Sequence, residues 1–314
     1  MKIDILNIFL ILISGVFAFV LPFQTFLFFF VFLGPLHYLT EINWLQQRNY
    51  FLQDKTNTYY LFVPIFLIGS IVYIPTLAEL KPVIPFLLYF TFLVSIFNSS
   101  ENSKLYKNWK FILSLIIGIV ISFYFKNYFQ TVFSVFLPTL IHVFIFTGIF
   151  ILSGFLKTKN KWSFVTLIVF VLTSVFLLNF NWKISLLETE MLSKYQSFEK
   201  LNQTIFSIFE ENNTTKQSIY SSSFGIKIMQ FIAFAYTYHY LNWFSKTSII
   251  QWHKTTKTKI TTIIIIWILS VLLYYYNYKT GLYWLYLLSL THVILEFPLN
   301  TTSVKSLYKS NFHQ

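Results

Sequence analysis

Four histidines and two glutamates carry whatever chemistry this chain can do inside a membrane. His37, His142, His239 and His292 fall within long apolar runs, and Glu41 and Glu296 are the carboxylates at the ends of such runs, whereas His253 and His313 lie in hydrophilic segments. A charged group at the centre of a membrane helix costs about 2.5–3.5 kcal/mol on the insertion scale, so each of these residues needs a partner. Two pairings share one spacing. In Gly34-Pro-Leu-His37-Tyr-Leu-Thr-Glu41 and in Thr291-His292-Val-Ile-Leu-Glu296, the glutamate follows its histidine by four. On a helix the two side chains then leave one face, about a turn apart. Such a pair offers two ligands to one metal ion, or a carboxylate that fixes the tautomer of its histidine. It serves equally well as a private hydrogen bond that makes a buried imidazole tolerable.

His239-Tyr-Leu-Asn-Trp243 echoes His37-Tyr-Leu-Thr-Glu41-Ile-Asn-Trp44, which adds His239 to the set and makes Asn43 and Asn242 candidate orienting groups. With alternating helix directions, His37, Glu41, His239, His292 and Glu296 share one slab in the inner leaflet, and they are expected to converge in one pocket. His142 lies deeper, as a fourth imidazole ligand, a contact to a bound ligand or a core hydrogen bond. The chain has no Cys, so imidazole and hard oxygen are the ligands on offer. That donor set suits non-haem iron, with zinc or manganese as alternatives. Two His-plus-carboxylate sets suit two irons, and one ion with three His suits zinc hydrolysis or mononuclear iron. A proton or ion path and purely structural histidines remain the other readings of the same residues.

The elements that must position these groups follow from composition. Of 314 residues, 56% are hydrophobic, 22% aromatic and only 11% charged, with a mean hydropathy of +0.62. A soluble domain carries about 25% charged residues, so most of this surface must face lipid. The fold class is therefore an all-α, polytopic integral membrane helix bundle of about ten transmembrane helices (8–10). The apolar runs fall near 5–21, 23–40, 59–78, 82–98, 110–125, 131–156, 162–180, 223–245, 258–278 and 281–298. Each is close to the ~17–25 residues that cross a bilayer. The chain divides into 1–180 with seven helices, 181–222 as an external loop, and 223–314 with three helices and a short tail; Pro298 is expected to end the last helix.

Lysine placement orients the bundle. Fifteen of the 23 basic residues fall on one side when both termini are cytoplasmic, as the positive-inside rule requires. Lys, Ile, Asn and Phe-rich usage points to a bacterial chain, and so to the inner membrane. In 181–222, Ile184, Leu187, Met191, Tyr195, Phe198, Leu201, Ile205 and Ile208 recur at steps of three and four, with Glu188, Glu190, Glu199, Glu210 and Glu211 largely off that face. This predicts an amphipathic helix on the outer surface, serving as a lid or as a plain connector.

The net charge of +12 does not point to nucleic acid, because the lysines are scattered and Arg48 is the sole arginine. Anionic lipid is the better partner for them. No phosphate loop, dinucleotide turn, His-x-x-His box, zincin helix or nucleophile elbow occurs. In size and in having intramembrane histidines the chain resembles the bacterial membrane β-carotene dioxygenases, a likeness of architecture to which no residue of this sequence is matched. The expected function is a metal-dependent oxidoreductase of oxygenase type acting on a lipophilic small molecule within the bilayer. The alternatives are a proton- or cation-coupled transporter and a non-catalytic membrane subunit.

Overall fold

The computed structural model describes residues 2–48, 59–97, 108–180, 193–209, 216–251 and 253–312, and these are helical with no strand among them. The principal helices are α1 (Lys2–Val20), α2 (Pro22–Gln47), α3 (Tyr59–Tyr73), α4 (Ile84–Phe97), α5 (Trp109–Tyr124), α6 (Lys126–Thr158), α7 (Lys161–Asn179), α8 (Glu199–Phe209), α9 (Ser223–Ser245), α10 (Lys257–Tyr276) and α11 (Tyr278–Phe312). Among the described residues, seven stretches are long and apolar enough to cross a membrane: α1, α2, the 3-10 turn Pro75–Val83 joined to α4, α6, α7, α10 and α11 as far as Lys305. The apolar helices α3 and α5 are shorter, at 15 and 16 residues. α9 has 23 residues and carries Gln230, Thr237, His239 and Asn242 among its buried side chains. The protein is thus a multi-pass, all-α membrane protein.

Capping side chains set several boundaries. Asn108 accepts from the Lys110 and Phe111 amides at the start of α5, Asn160 from Trp162 at the start of α7, Ser222 from Gly225 at α9 and Thr256 from Lys259 at α10. Each satisfies an amide that the first turn leaves without a helical acceptor. Lys159 (φ 48°) closes α6 in the left-handed conformation. Between α10 and α11 the chain turns at Asn277, whose Oδ1 accepts from Thr280 N at 3.1 Å. Gly281 is required there, since a Cβ would lie 2.2 Å from Tyr274 Cα.

The residues fall into two compact units. Unit one comprises Met1–Gly34 and Thr139–Gln251, unit two Pro35–Pro138 and Trp252–Gln314. The chain passes between them within α2, at Gly34-Pro35, and within α6, at Pro138-Thr139, where the backbone is π-helical over Thr131–Phe146.

In unit one, α9 packs on α1 and α7. Lipid tails are as apolar as leucine, so polar contacts between helices matter for fixing their register. Asn7 of α1 accepts from Tyr238 Oη at 3.3 Å and Ser245 Oγ at 3.1 Å, and Gln230 donates to the Phe19 carbonyl at 2.8 Å. The described part of 181–222 is folded onto this unit: Tyr195 and Phe198 meet Phe23, Phe26 and Phe30 edge-on at centroid distances of 4.9–5.5 Å. The expected face is only partly right. Leu201 is buried, but Ile208 is 55% exposed, and Glu199, placed off the face by spacing alone, is buried. Its carboxylate accepts from Tyr220 and from Gln203 Nε2, so it is buried with partners. Ile184, Leu187, Met191, Glu188, Glu190, Glu210 and Glu211 lie outside the described residues.

In unit two, α11 packs on α10, α4 and α3, and α4 packs on α5. The α4/α5 approach is close because Gly118 faces the Tyr89 ring, whose hydroxyl donates to the Ser114 carbonyl at 2.6 Å. Outward faces remain apolar, with Ile264, Ile265, Ile268, Leu269 and Leu272 of α10 all exposed. Pro298 does not end α11, contrary to expectation: the helix runs to Phe312. Proline removes one amide donor. The continuation is held by Thr301 and Thr302, which donate to the Pro298 carbonyl, and by bonds to α4 from Thr301 to Ser95 O (3.2 Å) and Lys305 Nζ to Ile96 O (2.6 Å).

Candidate metal centre

In unit two the two His-x-x-x-Glu pairs come together from α2 and α11. His37 Nε2 lies 3.2 Å from Glu41 Oε2, His292 Nε2 lies 3.8 Å from the same oxygen, and His292 Nε2 lies 4.0 Å from Glu296 Oε2. All four residues are at most 3% exposed. The imidazoles of His37 and His292 cross at 72° with centroids 5.0 Å apart, and Tyr38 stacks on His292 at 4.5 Å and 26°. Thr40, one turn beyond Leu36, donates to the Leu36 and His37 carbonyls at 2.8 and 3.0 Å.

One hydrogen bond determines the chemistry of this cluster. His292 Nδ1 is 2.8 Å from the Ser289 carbonyl. A carbonyl only accepts, so Nδ1 carries the proton and a neutral His292 has its lone pair at Nε2. That lone pair faces Glu41 and Glu296. Three electron-rich atoms in a buried space repel unless a cation, either a proton or a metal ion, lies among them. A ring N–H anchored to a backbone carbonyl, with the other nitrogen turned to a shared centre, is the arrangement that accompanies metal-ligating histidines.

The dimensions also suit an ion. Ligand atoms about 2.1 Å from one metal stand about 3.0 Å apart at right angles and about 3.4 Å apart at the tetrahedral angle. The His37–Glu41 separation of 3.2 Å falls between these, and the 3.8 and 4.0 Å separations need the groups to draw in by about half an ångström. The buried His/Glu groups can therefore hold a metal ion.

In unit one, His142 and His239 form a pair of their own, with centroids 5.0 Å apart at 65°. The Thr147 hydroxyl donates to the Val143 carbonyl at 2.7 Å and sits 2.9 Å from His239 Nδ1. With its one proton on Val143, it accepts from Nδ1, which puts the His239 lone pair at Nε2, the same tautomer as His292. Asn242 and, in unit two, Asn43 are buried, and Asn43 Oδ1 accepts from Gln47 Nε2 at 3.5 Å.

Sequence reasoning missed Thr147, Tyr38, the Ser289 carbonyl and Asn300. Thr147 meets His239 of another helix, a partner 92 residues away that no local spacing signals. Asn300 continues the step of four through His292 and Glu296, and was hidden by the expectation that Pro298 ended the helix. No family model, curated protein or solved structure matches this chain.

Proposed function

We propose that the protein is a membrane metalloprotein whose His37, Glu41, His292 and Glu296 hold a non-haem metal ion, that His239 and His142 of unit one are candidate ligands in their own right, and that it is a metal-dependent oxidoreductase acting on a lipophilic substrate. The observation that carries the metal is the convergence of the His292 Nε2 lone pair with two carboxylates, at 3.8 and 4.0 Å. A donor set of imidazole and carboxylate without thiolate supports iron, with manganese or zinc as alternatives. The apolar setting of the ligands supports a substrate that partitions into the bilayer. Both termini are placed in the cytoplasm on the lysine distribution.

A proton in place of the metal gives the second reading, a proton- or cation-coupled transporter, and the same lone pair between two carboxylates supports it. Metal per protein separates the two. Purified wild type, His292→Ala, His239→Ala, His142→Ala and the exposed-site control His253→Ala are compared after gel filtration. Stoichiometric metal in wild type and His253→Ala, and its loss in His292→Ala, is expected. A folded wild type that stays metal-free after exposure to iron, manganese and zinc sinks the metalloprotein. The His239→Ala and His142→Ala results decide whether those two residues are ligands.

A further inference from the structure

Asn300 is a buried amide that the four-residue site does not use. Its relative exposure is 0%, and neither Oδ1 nor Nδ2 has a hydrogen-bond partner among the described residues. Two other buried amides are half satisfied: Asn43 accepts from Gln47, and Gln230 donates to Phe19. A buried amide with both ends open is rare and implies a polar occupant such as water or an ion. A water needs two to four polar partners, and Asn300 supplies a donor and an acceptor at one place.

Its position gives the occupant a purpose. Asn300 follows Glu296 by four residues and His292 by eight, so the three side chains leave α11 within about 80° of one another and about 6 Å apart along the axis. The next turn reaches the surface, where Thr302 is exposed and Val304 is 43% exposed. Thr301 and Lys305 tie this part of α11 to α4 through the Ser95 and Ile96 carbonyls, so the helix around Asn300 is fixed. Asn300 is thus the last buried polar side chain between the carboxylates and the exposed end of the helix on that face. A bound cation, and the protons it displaces from its ligands, must reach a site whose four ligands are at most 3% exposed.

We infer that Asn300 lines a hydrated polar passage through which the cation and its displaced protons move between Glu296 and the exposed end of α11. The passage serves the site proposed above and rests on that reading for its cargo, but its hydration does not depend on which cation is carried.

The absence of cysteine allows a direct test. Asn300→Cys is treated in detergent with a small hydrophilic methanethiosulfonate, beside Phe297→Cys and Val293→Cys, whose parent residues on the same helix are 0% and 1% exposed. A thiol in a wet passage ionises and reacts, whereas one in a dry core does not, so modification of Asn300→Cys at least about tenfold faster than both controls is expected. Modification no faster than Phe297→Cys overturns the passage. In a second arm, zinc-loaded wild type, Asn300→Leu and Asn300→Ser are mixed with a chelator and then reloaded. Release and uptake both slowed about tenfold in Asn300→Leu at unchanged affinity, with Asn300→Ser close to wild type, is the expected result for a blocked route. Faster release with weakened affinity in Asn300→Leu makes Asn300 a ligand and overturns the passage. Wild type that takes up no zinc, iron or manganese overturns the metal reading alone, and the labelling arm still decides the passage.

Discussion

Replacing Glu41 by glutamine separates a metal ligand from a hydrogen-bond acceptor at one atom. Glu41 Oε2 lies 3.2 Å from His37 Nε2 and 3.8 Å from His292 Nε2, so both histidines converge on the group that changes. Glutamine keeps the shape and an acceptor oxygen but removes the charge. Losing an outer partner of a ligand typically weakens metal binding 10–100-fold, so losing the shared carboxylate is expected to cost at least about 100-fold. Ligand binding stabilises the native state by RT ln(1 + [L]/Kd). At metal equal to a hundred times the wild-type Kd that is about 2.7 kcal/mol, and at equal metal the variant keeps about 0.4 kcal/mol. The difference of about 2.3 kcal/mol corresponds to about 3–4 °C in unfolding midpoint for a chain of this length. The assay is a thermal melt in detergent with and without metal, for wild type and Glu41→Gln. Metal should raise the wild-type midpoint by several degrees and the variant's by a degree or less. Equal metal-induced shifts in the two proteins, or none in wild type, would refute the reasoning and leave His37–Glu41 as a private hydrogen bond.

Three further outcomes are expected. Burial draws the Lys246 ammonium, at the end of α9, from its ordinary 10.5 down to about 8, with Asp4 opposing; the unfolded chain then holds that proton over about pH 8–10.5, so this residue's contribution to stability rises with pH through that window, and the difference between wild-type and Lys246→Met melts at pH 7.5 and 10 should shrink accordingly. Gly118→Ala sets a Cβ 2.0 Å from the Tyr89 ring, and forcing α4 and α5 apart should cost about 1–3 kcal/mol in a denaturant titration, an effect that Tyr89→Ala on the same background should relieve. Ser207 and Ser248 are both exposed, so their cysteine variants test orientation directly: an impermeant reagent on intact cells should label Ser207→Cys and spare Ser248→Cys, and the reverse pattern overturns the assignment of both termini to the cytoplasm.

The sequence by itself determined the class of protein and most of the candidate ligands. A chain with 11% charged residues cannot dress its surface for water, and runs of apolar residues cannot hydrogen-bond their backbone in lipid except as helices or closed barrels. Burial of an ionisable group in such a run is costly enough that His37, Glu41, His142, His239, His292 and Glu296 stood out without coordinates. The spacing of four fixed which partner each α2 and α11 histidine meets on its own helix, because that relation is set by helix geometry alone.

Tertiary structure decided what local periodicity does not contain. That Glu41 is shared between its own His37 and the His292 of another helix is a matter of packing between segments 251 residues apart. Which nitrogen of His292 carries the proton depends on a carbonyl three residues back, and which nitrogen of His239 does depends on Thr147 of another helix. Pro298 carries a strong local stop signal, yet contacts with α4 hold the helix beyond it and keep Asn300 on the face of Glu296. In each case the deciding energy comes from a group distant in sequence or from a backbone geometry that the residue types alone do not specify.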